Sequence, residues 1–427
     1  MLKSLTYKTD EEVYFAHENS NWINHIMVFL LVYVSNDTLL FGTNANRMFF
    51  RIHIVILLTV FFILFVKVRA VSKRVLCYAT VWLIFSEITH LLTSDQEITK
   101  YIYNCFLILL SVLCVTTIKK KDFIIIYNKV LYMLSLASII VYNVSSLNLQ
   151  FSTIPYITNT VDYRFQFWIF SLTKENNQEE LIRNYCIFRE PGVAACFILL
   201  AMLFELFFVE KISIKRIIVY VVAMLLTFST GGYVATIILF FVWLMDKMFR
   251  PKNRYKKHAF VVAILIVTII LIVLSYVGLE YAFDIVFKKL FIVNDSRNSR
   301  FGAIEGNLRM YIRSPFYGNG WSFVEDNFDK FAFEGLYQSE HNTNTLLKYL
   351  AIYGIAPFLI EGILLTMFFC KTSKSKLIGI CLMLTWVIAL SNEDLCNNVI
   401  MYILPLYGLS QKMSNREDKV ICVAPNK

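Results

Sequence analysis

The feature that most constrains this chain is the recurrence of apolar runs long enough to cross a bilayer, set apart by short polar breaks. A helix needs about 20 largely apolar residues to span the roughly 30 Å hydrocarbon layer. Runs of that kind stand at 23–41, 52–66, 75–92, 101–118, 123–143, 192–209, 214–229, 233–249, 259–279, 345–369, 377–391 and 397–411, the first interrupted by Ser35-Asn36-Asp37. The expectation is an all-α polytopic membrane protein of about twelve transmembrane helices. Composition agrees, because 57% of the 427 residues are apolar, against roughly 45–50% in ordinary soluble domains. Residues 1–427 read as one integral-membrane domain.

The breaks carry most of the charge. A net charge of +10 would suit nucleic acid if it formed a patch, but here the basic residues alternate along the chain. Lys67/Arg69/Lys73/Arg74, Lys119-Lys120-Lys121, Lys211/Lys215/Arg216, Lys247 to Lys257 and Lys371/Lys374/Lys376 occupy every second break. Positive residues are retained on the cytoplasmic side, so both termini are expected there, and nucleic acid is not an expected partner. Two long intervals, 144–191 and 280–344, then fall on the outer side. Their aromatic residues, among them Tyr156, Trp168, Trp321 and Phe323, argue for folded loops.

Other chemistries find little support. The nine cysteines show neither CxxC nor Cys/His ligand spacing, and most lie inside apolar runs as small hydrophobes. No disulfide framework or zinc site is indicated. The polar, mixed-charge first two dozen residues do not read as a cleavable signal peptide.

Candidate chemistry gathers in the outer intervals. Ser299 to Arg313 reads as a helix with Phe301, Ile304, Leu308 and Ile312 along one side, stopped by Pro315. Arg309 and Arg313, four apart on one face, present two guanidiniums suited to a diphosphate; the alternative is a surface helix in which Glu305 pairs with Arg309. Tyr317-Gly318-Asn319-Gly320-Trp321 is a turn whose glycines permit positive φ or close approach to a ligand. Glu340-His341-Asn342 stands where loop becomes helix, and an imidazole there suits removal of a proton from a hydroxyl, or else serves as a hydrogen-bonding anchor. Phe188-Arg189-Glu190-Pro191-Gly192 opens another helix: Glu190 and Pro191 are ordinary helix-start residues, whereas Arg189 needs a compensating anion. Ser229-Thr230-Gly231-Gly232 opens a third. By the derived topology these three starts share one side of the membrane and together outline a basic pocket for a diphosphate.

With Phe188-Arg189-Glu190-Pro191-Gly192, Ser229-Thr230-Gly231-Gly232, Gly318-Asn319-Gly320-Trp321 and Glu340-His341-Asn342-Thr343-Asn344 leading into Tyr349 to Ile355, the chain resembles the O-antigen polymerase and O-antigen ligase superfamily of bacterial envelope glycosyltransferases. The resemblance implies a GT-C-like membrane fold, donor and acceptor glycans linked to undecaprenyl diphosphate, and inverting transfer on the outer face. It implies no cofactor and no metal, which accords with the lack of carboxylates between Gly42 and Arg51 and leaves arginines to stabilise the leaving diphosphate. It also implies His341 as base, Arg189, Arg309 and Arg313 as diphosphate clamp, Glu190 and Asn342 as orienting residues, and Gly320 as part of a spaced Arg–Gly motif with Arg309. Arg183 has no clean counterpart of that motif. The expected function is polymerisation of O-antigen or capsular repeat units, with membrane lipids, a chain-length regulator and a flippase as associates. Transfer to the lipid A core by a ligase is the near alternative, and transport of the same substrates a remoter one, since the spans hold only isolated ionisable residues such as Glu87, Glu205 and Glu361.

Overall fold

A computed structural model describes residues 21–42, 47–68, 71–146, 155–158, 164–174, 183–248, 295–333, 342–373 and 375–409. The expected span 259–279, His341 and the basic tail after Lys412 lie outside the described residues. The helices are α1 (Asn21–Tyr33), α2 (Arg47–Lys67), α3 (Lys73–Thr93), α4 (Ile98–Thr117), α5 (Lys120–Ser146), α6 (Pro191–Phe207), α7 (Ile214–Leu226) and α8 (Thr230–Met248). They continue with α9 (Asp295–Arg313), α10 (Trp321–Phe333), α11 (Thr345–Tyr353), α12 (Ile355–Thr372), α13 (Lys376–Leu390) and α14 (Val399–Leu409).

Among the described residues six helices are long and apolar enough to cross a membrane, namely α2, α3, α4, α5, α8 and α12, and four shorter apolar helices, α1, α6, α13 and α14, accompany them. The long helices expose apolar side chains, as Val55, Phe62 and Phe65 on α2 and Leu359 and Ile363 on α12 do, which is the pattern of helices with one face toward lipid. The shorter α6 differs. It is apolar on every side and each of its residues is buried, so it forms the centre about which the others pack.

Two of the expected spans are broken, and the first break brings Asp37 to the site. The run 23–41 forms a helix only to Tyr33. Residues 34–42 then turn back through bonds from Thr38 N–H to Ser35 O (3.1 Å) and Gly42 N–H to Thr38 O (2.7 Å), which buries Asp37. The run 345–369 divides into α11 and α12 at Gly354, whose φ is 78°. A helix break in apolar surroundings strands backbone groups that need partners, and the turn Pro315–Gly320 supplies them. Asn319 N–H donates to Ala351 O (2.9 Å), Gly320 N–H to Ile352 O (3.1 Å) and Ile355 N–H to Pro315 O (2.9 Å).

Among the described residues, both long polar intervals carry secondary structure. The first contains a three-stranded antiparallel sheet, β1 (Tyr156–Thr158), β2 (Arg164–Phe167) and β3 (Leu172–Lys174), in the order β1-β2-β3. The second contains α9, which begins earlier than its sequence pattern suggests, and α10, which the pattern does not reveal. The stripe Phe301, Leu308 and Ile312 is exposed, while Ala303, Asn307 and Met310 are buried. The small residues decide this orientation: a β-carbon on Gly306 would lie 3.3 Å from Ala332 of α10, so α9 turns its narrow side inward for close packing.

Candidate functional site

Three helix starts meet at the loop 391–398 between α13 and α14. At α6, a β-carbon on Gly192 would lie 1.5 Å from Glu393 Oε1; at α8, one on Gly231 would lie 2.6 Å from the Asn392 side chain. At both starts a larger residue would make the loop's side chains give way, since they occupy that space. At α11, the N–H of Thr345 donates to Glu393 O (3.0 Å), as does its hydroxyl, and Asn344 Oδ1 accepts from Leu347 N–H (3.0 Å) as the helix cap. The convergence expected from topology is therefore a direct contact through one short loop.

Arg189 anchors this end of the bundle. Its Nε donates to Asp37 Oδ1 (3.3 Å), one terminal nitrogen to Glu190 Oε1 (2.8 Å) and the other to Asp394 O (2.6 Å). The compensation that a cation at a helix start demands comes from Glu190 and Asp37. The side chain of Asn398 donates to the second oxygen of Asp37. Burial nevertheless raises the Asp37 carboxyl to about 6, against the pull of Arg189 and Asn398. Asp394 is held below the usual carboxylate range: burial works to raise it, but Lys348 and Arg189 outweigh that, and Lys348 Nζ lies 2.7 Å from Asp394 Oδ2.

Beside this anchor sits Glu393, 7% exposed. Burial, then the charge of Glu190, pushes its carboxyl up to about 8 in spite of Arg189, Arg300 and Arg183. Arg183 donates to Thr227 O (3.0 Å) and Phe228 O (3.2 Å), capping the end of α7. Arg300 donates to Thr230 Oγ1 (3.0 Å) at the start of α8. This is the one hydrogen bond its five N–H groups make among the described residues, and burial draws it below the usual arginine range.

Helical geometry sorts the arginines of α9. Asn307 lies two turns beyond Arg300, on the same face, and exchanges amide bonds with Asn342 (2.7 and 2.9 Å). Arg309 is roughly half a turn away from Arg300 around the helix. It pairs with Glu305 (2.9 Å), and the Arg313 guanidinium lies 4.4 Å from the centroid of the Phe323 ring. The structure thus brings Arg189, Glu190, Arg183 and Arg300 together around Glu393 and ties Asn342 to α9 through Asn307, whereas Arg309 and Arg313 have described contacts with Glu305 and Phe323. Gly320 faces Asp95 instead, with a β-carbon there 2.5 Å from Asp95 Oδ2. That carboxylate accepts from the N–H groups of Trp321 and Ser322 and caps α10 across the chain. His341 precedes Asn342 in sequence and lies outside the described residues.

Below the loop an apolar cavity of about 540 Å³ opens between α11, α12, α13 and α14, lined by Thr345, Tyr349, Gly362, Met383, Cys396 and Tyr402 among others. Its upper end is tied to the loop, since Cys396 Sγ donates to Thr345 O (3.2 Å).

Sequence reasoning missed Glu393, Asp394, Asp37 and Lys348, and passed over Arg300. For Glu393 and Asp394 a signal existed, as an acidic pair on an otherwise charge-poor loop. Asp37 had none, because it lies 152 positions from the Arg189 it pairs with.

Residues 217–360 match the family model described as O-antigen ligase. The matched segment includes α8, α9, α10 and α11 and hence Thr230, Arg300, Asn307 and Asn342, and it supports the O-antigen ligase and polymerase superfamily. No curated protein and no solved structure matches the chain.

Proposed function

We propose that the protein is a membrane glycosyltransferase that joins repeat units carried on undecaprenyl diphosphate, acting as an O-antigen or capsular polysaccharide polymerase with a GT-C-like fold. The observation that carries this reading is the meeting of three helix starts with Arg189, Arg183 and Arg300 around the loop 391–398. Helix starts and guanidiniums both favour a diphosphate, and the apolar cavity below the loop suits the adjoining prenyl chain.

In this reading the acceptor hydroxyl attacks the anomeric carbon from the side opposite the diphosphate. The carbon–oxygen bond to the diphosphate breaks and its electron pair leaves with the phosphate, whose charge Arg300 and Arg189 stabilise. His341 takes the hydroxyl proton, and Asn342, held by Asn307, orients the segment. Arg300 is added here to Arg309 and Arg313, because it donates to Thr230 at the start of α8.

His341→Ala should abolish chain extension while the protein still accumulates in the membrane; chains of ordinary length in that variant would sink the assignment. Because the matching family model is described as O-antigen ligase, the second reading is transfer to the lipid A core. Purified protein incubated with lipid-linked repeat units should yield a ladder. Transfer of preformed polymer to a core saccharide, with no ladder, would replace polymerisation by ligation.

A further inference from the structure

Glu393 is the least explained group at this end of the bundle. Its backbone carbonyl is used by Thr345, yet its carboxyl makes no hydrogen bond or ion pair among the described residues while 7% exposed. A buried carboxyl without partners is costly as an anion. It is nevertheless pressed against the start of α6, with Oε1 in the space a Gly192 β-carbon would take. The charged groups acting on it are Glu190 and Arg189 from the segment before α6, Arg183 from the same segment, and Arg300 from α9. Beyond Arg189 stand Asp37 and Asp394, the latter bound to Lys348.

An ionised carboxylate in that position competes for the same guanidiniums and the same helix start that would receive a diphosphate. A neutral carboxyl does not. We propose that Glu393 is a proton-controlled gate on the donor site: protonated, it leaves Arg300, Arg183 and the α6 start to the lipid diphosphate, and ionised, it holds them itself. The inference rests on the donor reading above. Burial raises this carboxyl to about 8, so the gate is open near neutrality and closes in mild alkali. Binding of the donor above that value then carries a proton onto Glu393, taken from solvent.

The test uses the full-length protein in detergent or nanodiscs and a prenyl diphospho-sugar, whose two phosphates stay ionised without titrating between pH 7 and pH 9. If only the protonated form binds, the apparent Kd of the wild type rises about tenfold by pH 9, following the fraction in the competent state. Glu393→Gln should bind at pH 9 about tenfold more tightly than wild type and show a flat profile. Glu393→Asp, which restores an ionisable group, should restore the slope. Calorimetry in two buffers of different ionisation enthalpy should report proton uptake by the wild type at pH 8.5 and none by Glu393→Gln. Equal slopes in wild type and Glu393→Gln would overturn the gate and leave the donor site standing. No binding by any of the proteins at pH 7 would overturn the donor reading and the gate with it.

Discussion

Asn307 of α9 and Asn342, two residues ahead of the α11 cap Asn344, exchange amide hydrogen bonds in both directions, at 2.7 and 2.9 Å. Asn307 is fully buried, and its side-chain N–H also reaches Ala303 O of its own helix (2.7 Å). The pair fastens the segment that carries His341 to the face of α9 that also carries Arg300. Truncating Asn342 leaves the buried Asn307 carbonyl oxygen without this donor, at a cost of about 1–3 kcal/mol, and truncating Asn307 removes both bonds from the part-buried Asn342. Asn307→Ala and Asn342→Ala should each reduce polymer formation by roughly tenfold or more. The double variant should be scarcely worse than either, since both remove one interaction. Additive losses, read from product ladders at matched protein levels, would dissolve the pairing.

Arg300 and Arg309 should behave differently although they share a helix. Arg300→Ala removes a donor from the proposed diphosphate site and should cost on the order of 100-fold in turnover, the scale seen when one stabilising donor is lost. Arg309→Ala removes a partly exposed pair with Glu305, worth about 0.3–0.5 kcal/mol in a helix, and should cost less turnover than Arg300→Ala. A reversal of that order would restore the clamp expected from sequence.

Gly192→Ala should destabilise the protein by about 1–3 kcal/mol as an overpacked site, because its β-carbon would meet Glu393 Oε1 at 1.5 Å. Thermal unfolding in detergent measures this. Pairing it with Glu393→Ala clears the obstruction and should recover most of the loss; a double variant as unstable as Gly192→Ala alone would place the strain elsewhere.

The titration of Glu393 also bears on stability. Its carboxyl is raised from 4.5 to about 8, so its favourable contribution is complete below about 4.5 and is lost as pH rises toward about 8. Asp37, raised from 3.8 to about 6, acts in the same direction over the lower part of that window. Asp394, lowered by Lys348 and Arg189 against its burial, acts oppositely, stabilising above its ordinary value and losing that in acid. The melting temperature of wild type relative to Glu393→Gln should therefore decline between about pH 4.5 and pH 8. A constant difference across the window would mean that Glu393 does not titrate there.

Much of the architecture is legible locally, because in an apolar surrounding each helix must satisfy its own backbone. Runs of hydrophobic residues thus foretell α2, α3, α4, α5 and α8, and the local signs at Glu190-Pro191-Gly192 and Thr230-Gly231 foretell where helices begin. What sequence alone determined is therefore most of the long apolar helices and the starts of α6 and α8, helix ends at which an anion would be favoured.

The tertiary structure decided which side chains stand at those ends. Arg189 is completed by Asp37 and Asp394 from opposite ends of the chain, and Gly320 serves Asp95 from the α3–α4 connection. Arg300 reaches the start of α8 because small residues turned α9 onto its narrow side. Charge partners are chosen by proximity in space, across separations of more than a hundred residues, and such choices leave no periodicity in the sequence.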